Sequence, residues 1–500
     1  MNTTSLKTNH QAWLIGAVIA IYTALIFVWA CFHEPWRDEV AALTLGIQSH
    51  SLWDLLGEIR SYGHPSLWFL ILYGAYHIFP SYSILKIINL FVSVLAAYVL
   101  LKKAPFSWGQ KMLFLLGYFP FYCFPVVNRS YGLCLLLFLL FCSFYPRRWQ
   151  NILPLGVVLF LLANAHAAGL VITVVIFLTL GAELLFSRGA EALKQNSFKK
   201  IFSGLMIIAV GIVLSTWQIH PDSSSIVFSW GSLNLQKILD ALQQAVFLPG
   251  KTFRHVLGGE HTKVVTLFIA GSYFLLRKQP FSLSIMVLGT IGLSLFFQLI
   301  YPHYSLYHES FVYMLMIFAF WMTANAPKAA FPIRDLFFTA ILLSQVVMAY
   351  PAIQADLRSD FSSSKRFAQW IGLQPQGEEY VLVGEPDYLL ESLPYYVSND
   401  IYIPREGQFG KVTHFTLTNQ RVFSLEGFLR TAGDLKAQGK DALLVLGHHL
   451  KKDGPFEIHF SYDKIFQYSS ESLALWETKT RQVASFHGAL HENYDVFVLK

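Results

Sequence analysis

Arg37, Asp38 and Glu39 stand side by side in the run His-Glu-Pro-Trp-Arg-Asp-Glu-Val at 33–40, directly after an uncharged stretch at 12–32. Adjacent carboxylates point to different faces of a helix or strand, so the two acids can hold separate jobs. One can act as a base while the other binds a cation or orients the loop. Acids at the N-terminus of a helix starting near Val40 are the plainer alternative, since the helix dipole favours them there. A second group follows at 62–68, Tyr-Gly-His-Pro-Ser-Leu-Trp, where Pro65 opens an apolar helix and leaves His64 in an extended joint. Arg129 follows a segment containing Pro120 and Pro125. A guanidinium there can grip phosphate oxygens in a two-point contact, or snorkel to lipid headgroups. His166, His303, His308 and Glu309 stand at the ends of later apolar segments. Ionisable side chains in such places usually face a polar cavity or a partner, which makes His303 and His308 candidates to hold a phosphate.

The elements that must position these groups are membrane helices. The chain has 500 residues, 54% apolar and only 14% charged, too little charge for an ordinary soluble protein of this size. Apolar segments run at 12–32, 84–101, 112–127, 130–145, 152–165, 168–186, 201–217, 264–276, 281–300, 309–322 and 336–350. They predict about eleven spans, several of them short, with the first an uncleaved anchor. If the apolar stretch 66–79 is a re-entrant or juxtamembrane helix that does not cross, the lysines and arginines at 102–111, 147–148, 188–200, 277–278 and 328–334 all fall on one side. That side is then cytoplasmic, and Asp38, His64, Arg129, His166 and His303 share the opposite face. The net charge of +6 therefore reads as topology and not as a nucleic-acid surface. Cys31, Cys123, Cys134 and Cys142 all lie in apolar segments without the spacing of a zinc site or a disulfide framework.

Residues 1–350 thus read as a membrane domain, with an outer loop at 33–65 and another at 218–263. The second loop carries Leu235, Ile238, Leu239, Leu242 and Val246 at helical spacing, the stripe of a helix lying on the membrane or over a cavity. From 356 to 500 the pattern changes to short β-branched runs at 380–383, 401–403, 442–446 and 494–499 and a helical stretch at 425–438. That predicts a small soluble α/β domain, placed outside by the topology.

Arg37-Asp38-Glu39, then Gly63-His64-Pro65 opening an apolar helix, then Asn128-Arg129-Ser130-Tyr131 at the end of a span resemble a family, the C-type membrane glycosyltransferases. The likeness is to the branch holding protein O-mannosyltransferases and the lipid A aminoarabinose transferase. It covers residues 1–150 well and the remainder mainly in layout. Ser66 stands where the family often has a second proline, and Val40 where it usually has a small residue. The resemblance implies that Asp38 is the base that deprotonates an acceptor hydroxyl as it attacks the anomeric carbon. Glu39 would contact a divalent cation or the acceptor, and His64, Arg129, Tyr131, His303 and His308 would bind the donor phosphate or substrate. The donor would be a polyprenyl-phosphate sugar and the acceptor a hydroxyl of unspecified type. The location would be a cell membrane, most simply a bacterial inner membrane, with the C-terminal domain extracytoplasmic. A polyprenyl phosphate leaves without a general acid, so one carboxylate plus cationic stabilisation suffices and the anomeric centre inverts. The rival readings are a lipid or polysaccharide transporter or flippase, which would set its charges near the bilayer midplane, and a non-catalytic scaffold, which would tolerate Asn at position 38.

Overall fold

The computed structural model describes residues 3–188, 198–220, 234–301, 305–324, 332–414, 419–454, 456–490 and 492–500. Among them, six helices are long and apolar enough to cross a membrane: Gln11–Phe32, Ile84–Lys103, Ala167–Phe186, Phe198–Ile219, Pro280–Ile300 and Ile333–Arg358. Four shorter apolar helices, Leu67–Ile78, Tyr131–Arg147, Ile152–Ala165 and Thr262–Leu275, pack among them. The first helix leaves Trp13, Ile21, Phe27 and Phe32 exposed, an apolar surface that only lipid or another protein can cover. Helix Leu67–Ile78, expected as a non-crossing element, has twelve residues and so reaches only about 18 Å. Small residues set a close helix contact. A Cβ on Gly156 would lie 2.7 Å from the Gly204 carbonyl oxygen, so Ile152–Ala165 and Phe198–Ile219 touch backbone to backbone.

The segment expected as one span at 112–127 is broken. Helix Trp108–Leu115 ends, a wide turn follows over Phe119–Cys123, and a last helical turn covers Phe124–Val126. Pro120 and Pro125 cause this, because each lacks an N–H and its ring pushes against the preceding turn. Carbonyls released by such a break must find donors inside the protein. Tyr22 Oη donates to the Pro120 carbonyl at 2.5 Å, and buried Asn89 Nδ2 donates to the carbonyls of Phe124 (2.8 Å) and Pro125 (3.0 Å). Asn89 thereby fixes the point where the chain leaves the bundle at Asn128 and Arg129. Helix Leu306–Thr323 is enclosed on almost every side and forms the centre of the bundle.

The predicted surface helix is present at Leu235–Phe247, but its packing is the reverse of a soluble amphipath. Ala241 and Ala245 are buried, while Leu235, Ile238, Leu239, Leu242, Val246 and Phe247 face outward.

After helix Pro332–Arg358 the chain forms a sheet region. Strands β1 (Val381–Glu385), β2 (Ile401–Ile403), β3 (Gln408–Phe409), β5 (Ala442–Leu446), β8 (Thr480–Phe486) and β9 (Tyr494–Leu499) make a six-stranded sheet in the order β3-β2-β1-β5-β9-β8. The central pairs β2/β1 and β1/β5 are parallel, with Val383 opposite Leu444 in register. A smaller sheet joins β4 (Val422–Ser424), β7 (Ile465–Gln467) and β6 (Glu457–His459). Helix Leu425–Ala437 packs Phe428, Ala432 and Leu435 into the core between them. All four runs with a strand pattern in the sequence are strands here. β3, β4, β6, β7 and β8 are short or largely exposed and lack that pattern.

This region is stapled to the first loop. Tyr396 Oη donates to the Pro35 carbonyl (3.1 Å), Lys365 pairs with Glu34 (3.2 Å), and Tyr62 Oη donates to the Thr413 carbonyl (3.1 Å). His414 bridges Glu58 (2.8 Å) and Glu406 (3.0 Å).

Candidate active site

Helix Arg37–Gln48 begins four residues after the first long helix, and the two acids at its start take opposite directions. The Glu39 side chain is fully enclosed, whereas a third of Asp38 is exposed. One Glu39 oxygen accepts from His33 Nε2 (2.8 Å), and the other accepts from the Asn128 backbone N–H (2.7 Å) and its Nδ2 (2.6 Å). His33 Nδ1 lies 3.0 Å from Asp356, which also accepts from Tyr122 Oη (2.9 Å). Burial by itself would depress the His33 imidazole, but the Glu39 and Asp356 carboxylates outweigh it and push its pKa up to about 9. Lys86 Nζ donates to the carbonyls of Ala30 (2.7 Å) and His33 (2.9 Å). Glu39 therefore ties the first loop to the 128–129 turn, and both its oxygens are spent inside the protein. Glu39 is expected to contact a divalent cation or the acceptor; here three groups of the protein donate to its oxygens and the side chain is fully enclosed.

Asp38 faces a cleft of about 920 Å³, mouth included. Arg37, Asp38, His64, Pro65, Arg129, Ser130, His166 and Tyr301 line it from the helical part, and Glu391 and Tyr462 from the sheet region. Arg129 Nη1 donates to Asp38 Oδ2 at 2.9 Å, and Arg37 Nε lies 3.4 Å from Oδ1. Arg37 is stacked over Tyr388 at 4.3 Å, and its backbone N–H donates to Glu492 at 3.3 Å. Helix Arg37–Gln48 has no side-chain cap of its own, so this distant carboxylate serves its N-terminus. A guanidinium has five N–H donors, and the contact with Asp38 occupies one of those on Arg129.

Three histidines meet at the cleft wall, His64 and His166 lining it and His308 behind them. The rings of His64 and His166 are 5.7 Å apart, and those of His166 and His308 5.5 Å. Burial, with Arg129 nearby, pushes the His64 imidazole down to about 4, and burial with His308, His64 and Arg129 holds His166 well below its ordinary value. Both rings are neutral at pH 7. His166 Nδ1 accepts the Ala168 N–H (3.1 Å), which puts the ring proton on Nε2. That buried Nε2 has no partner among the described residues. His308 Nδ1 accepts the Ser305 N–H (2.9 Å), so its Nε2–H points to Tyr131 Oη at 3.2 Å.

Of the residues expected at the site, the structure brings Asp38, His64, Arg129 and His166 to the cleft. Tyr131 and His308 lie one layer behind, bonded to each other. Glu39 is in the interior and His303 lies outside the described residues. Glu309 accepts the His255 backbone N–H (2.9 Å) and is not part of the lining. Glu391 and Tyr462 were not foreseen. The Glu391 carboxyl accepts the Thr413 N–H (2.8 Å), and burial pushes its pKa up to about 8. The one signal for Glu391 is an acid inside the apolar run 388–397, and for Tyr462 there is none. No protein-family model and no curated protein matches the chain.

Proposed function

We propose that the chain is a C-type membrane glycosyltransferase that moves a sugar from a polyprenyl-phosphate donor to a hydroxyl acceptor on the extracytoplasmic face. The observation that carries the reading is the half-open Asp38 carboxylate flanked by Arg37 and Arg129 at the cleft. A base stands beside two guanidinium groups, hydrogen-bonded to Arg129 and ion-paired with Arg37, as transfer from a phosphate leaving group requires. In this reading Asp38 takes the acceptor's proton, the acceptor oxygen forms its bond to the anomeric carbon, and the carbon–oxygen bond to phosphate breaks with inversion. The departing electron pair stays on the phosphate, where spare N–H groups of Arg129 and Arg37 and the unpartnered Nε2–H of His166 can receive it. His64, neutral and buried, shapes the wall, and Glu39 is a positioning residue. No step is routed through a cation at Glu39.

The remaining features fit about eleven crossings, the five beyond the long helices being shorter or broken by proline. The lysines and arginines would gather on the cytoplasmic side, and the sheet region would roof the cleft from outside, as in a bacterial inner membrane. The outward leucines of Leu235–Phe247 would rest in the lipid interface. The test is transfer from a panel of radiolabelled polyprenyl-phosphate sugars by the purified protein and by Asp38→Asn protein shown to fold equally well. Turnover that vanishes in the variant supports enzyme and base together. Undiminished turnover moves the base elsewhere, and no turnover with any donor sinks the reading in favour of a transporter or a scaffold.

A further inference from the structure

The sheet region carries a second cluster of chemistry-bearing residues that the proposed transfer does not use. His449 follows the carboxyl end of β5, His487 follows β8, and Asp495 lies on β9 between them in the sheet. His449 Nδ1 lies 2.8 Å from Asp495 Oδ2, and His487 Nε2 lies 2.9 Å from Oδ1. All three ligand atoms fall within 4.8 Å of one another, and the two rings lie nearly parallel with centroids 4.7 Å apart. The carboxylate forms a buried floor at 3% exposure, while the imidazoles at 68% and 39% are open to solvent.

Three physical points favour a cation between them. A buried carboxylate needs a positive partner, and no lysine or arginine pairs with Asp495 among the described residues. Its Oδ1 is also held by Ser485 Oγ (2.8 Å) and Gln482 Nε2 (3.2 Å). That second layer orients the carboxylate, with Oδ1 shared with His487 and Oδ2 left to His449, as outer partners do around metal ligands. Each imidazole already directs a ring nitrogen at the acid, so a dication can sit between them with each ring keeping its N–H on the other nitrogen, without refolding of the strands.

We propose that His449, His487 and Asp495 form a binding site for a zinc-class divalent transition metal with one coordination position open to solvent. Two imidazole nitrogens and one oxygen suit zinc and its neighbours, whereas magnesium and calcium demand all-oxygen surroundings. Three protein ligands on an exposed rim leave the fourth position to water or to an oxygen of an incoming molecule.

The test is zinc titration of the tag-free, full-length protein in detergent after chelator stripping, in competition with a chromophoric chelator. One zinc per chain is expected. Affinity should fall more than about 100-fold in His449→Ala, His487→Ala and Asp495→Asn, and about tenfold in Ser485→Ala. Magnesium should not compete. His449 is mostly exposed, so His449→Ala keeps the test decisive should Asp495→Asn fail to fold. Zinc bound equally well by the His449→Ala/His487→Ala double variant would assign it to other histidines and overturn the site, as would the lack of any stoichiometric binding or equal binding of magnesium.

Discussion

Two histidine clusters in this chain stand beside opposite charges. At the cleft, His64 and His166, with His308 behind them, stand near Arg129, and burial next to a cation keeps His64 and His166 neutral. On the sheet region, His449 and His487 gather around the Asp495 carboxylate at the solvent edge. The same side chain serves two chemistries, and its neighbour selects between them. Neutral imidazoles beside a guanidinium offer N–H donors to an anion, and imidazoles beside a carboxylate offer lone pairs to a cation. The first arrangement suits a phosphate and the second a metal.

The sharpest way to break the cleft half of this contrast is Asp38→Asn, which keeps shape and removes the base. Transfer should fall about 10³-fold at unchanged fold, within the range for loss of a general base. Arg129→Lys keeps the charge but loses the planar fork, and should cost about 10²-fold in kcat/KM for the lipid donor. An unchanged value would remove phosphate binding from the role of Arg129. Glu39→Gln probes position instead of chemistry. It strands the His33 imidazolium with one carboxylate instead of two, and should destabilise the protein by about 3 kcal/mol, read as a lower apparent Tm. A folded, fully stable variant would show that the His33–Glu39–Asn128 tie is dispensable.

The smallest expected effect comes from the cleft's roof. Glu391 is raised to about 8 by burial, so its carboxyl is neutral below that pH and becomes anionic as pH rises through it. The new charge would face the donor phosphate, and the donor KM should rise a few-fold above pH 8. In Glu391→Gln that limb of the KM profile should disappear. A profile that keeps it would place the titrating group elsewhere. The zinc-binding variants sharpen the other side of the comparison, since they should leave sugar transfer at its wild-type rate.

Much of the helical part is legible in the sequence because lipid imposes one rule on every span: a long apolar run whose backbone bonds within itself. The run 112–127 satisfies the apolar half of the rule and fails the other at Pro120 and Pro125. Only the fold shows Tyr22 and Asn89 supplying the missing donors. In the sheet region, the apolar strands buried along much of their length are readable, but β8, with most of its residues at the surface, carries no such pattern.

The site divides in the same way. Residue order alone brings Arg37-Asp38-Glu39, His64 and Arg129 forward, because charge in an apolar chain is expensive and must have a use. Which of two adjacent acids faces the cleft was settled only in three dimensions, where Asn128 and His33 capture Glu39 and turn it inward. Glu391 and Tyr462 lie more than 300 residues from Asp38 in the chain and reach the same cleft. Ligand atoms of His449, His487 and Asp495 converge because β5, β9 and β8 are neighbours in the sheet, a pairing that no local pattern encodes. Sequence determined which residues are too costly to be there without a purpose, since the penalty for burying charge is local. Tertiary structure decided which of them meet, since convergence depends on hydrogen bonds and strand order between distant segments.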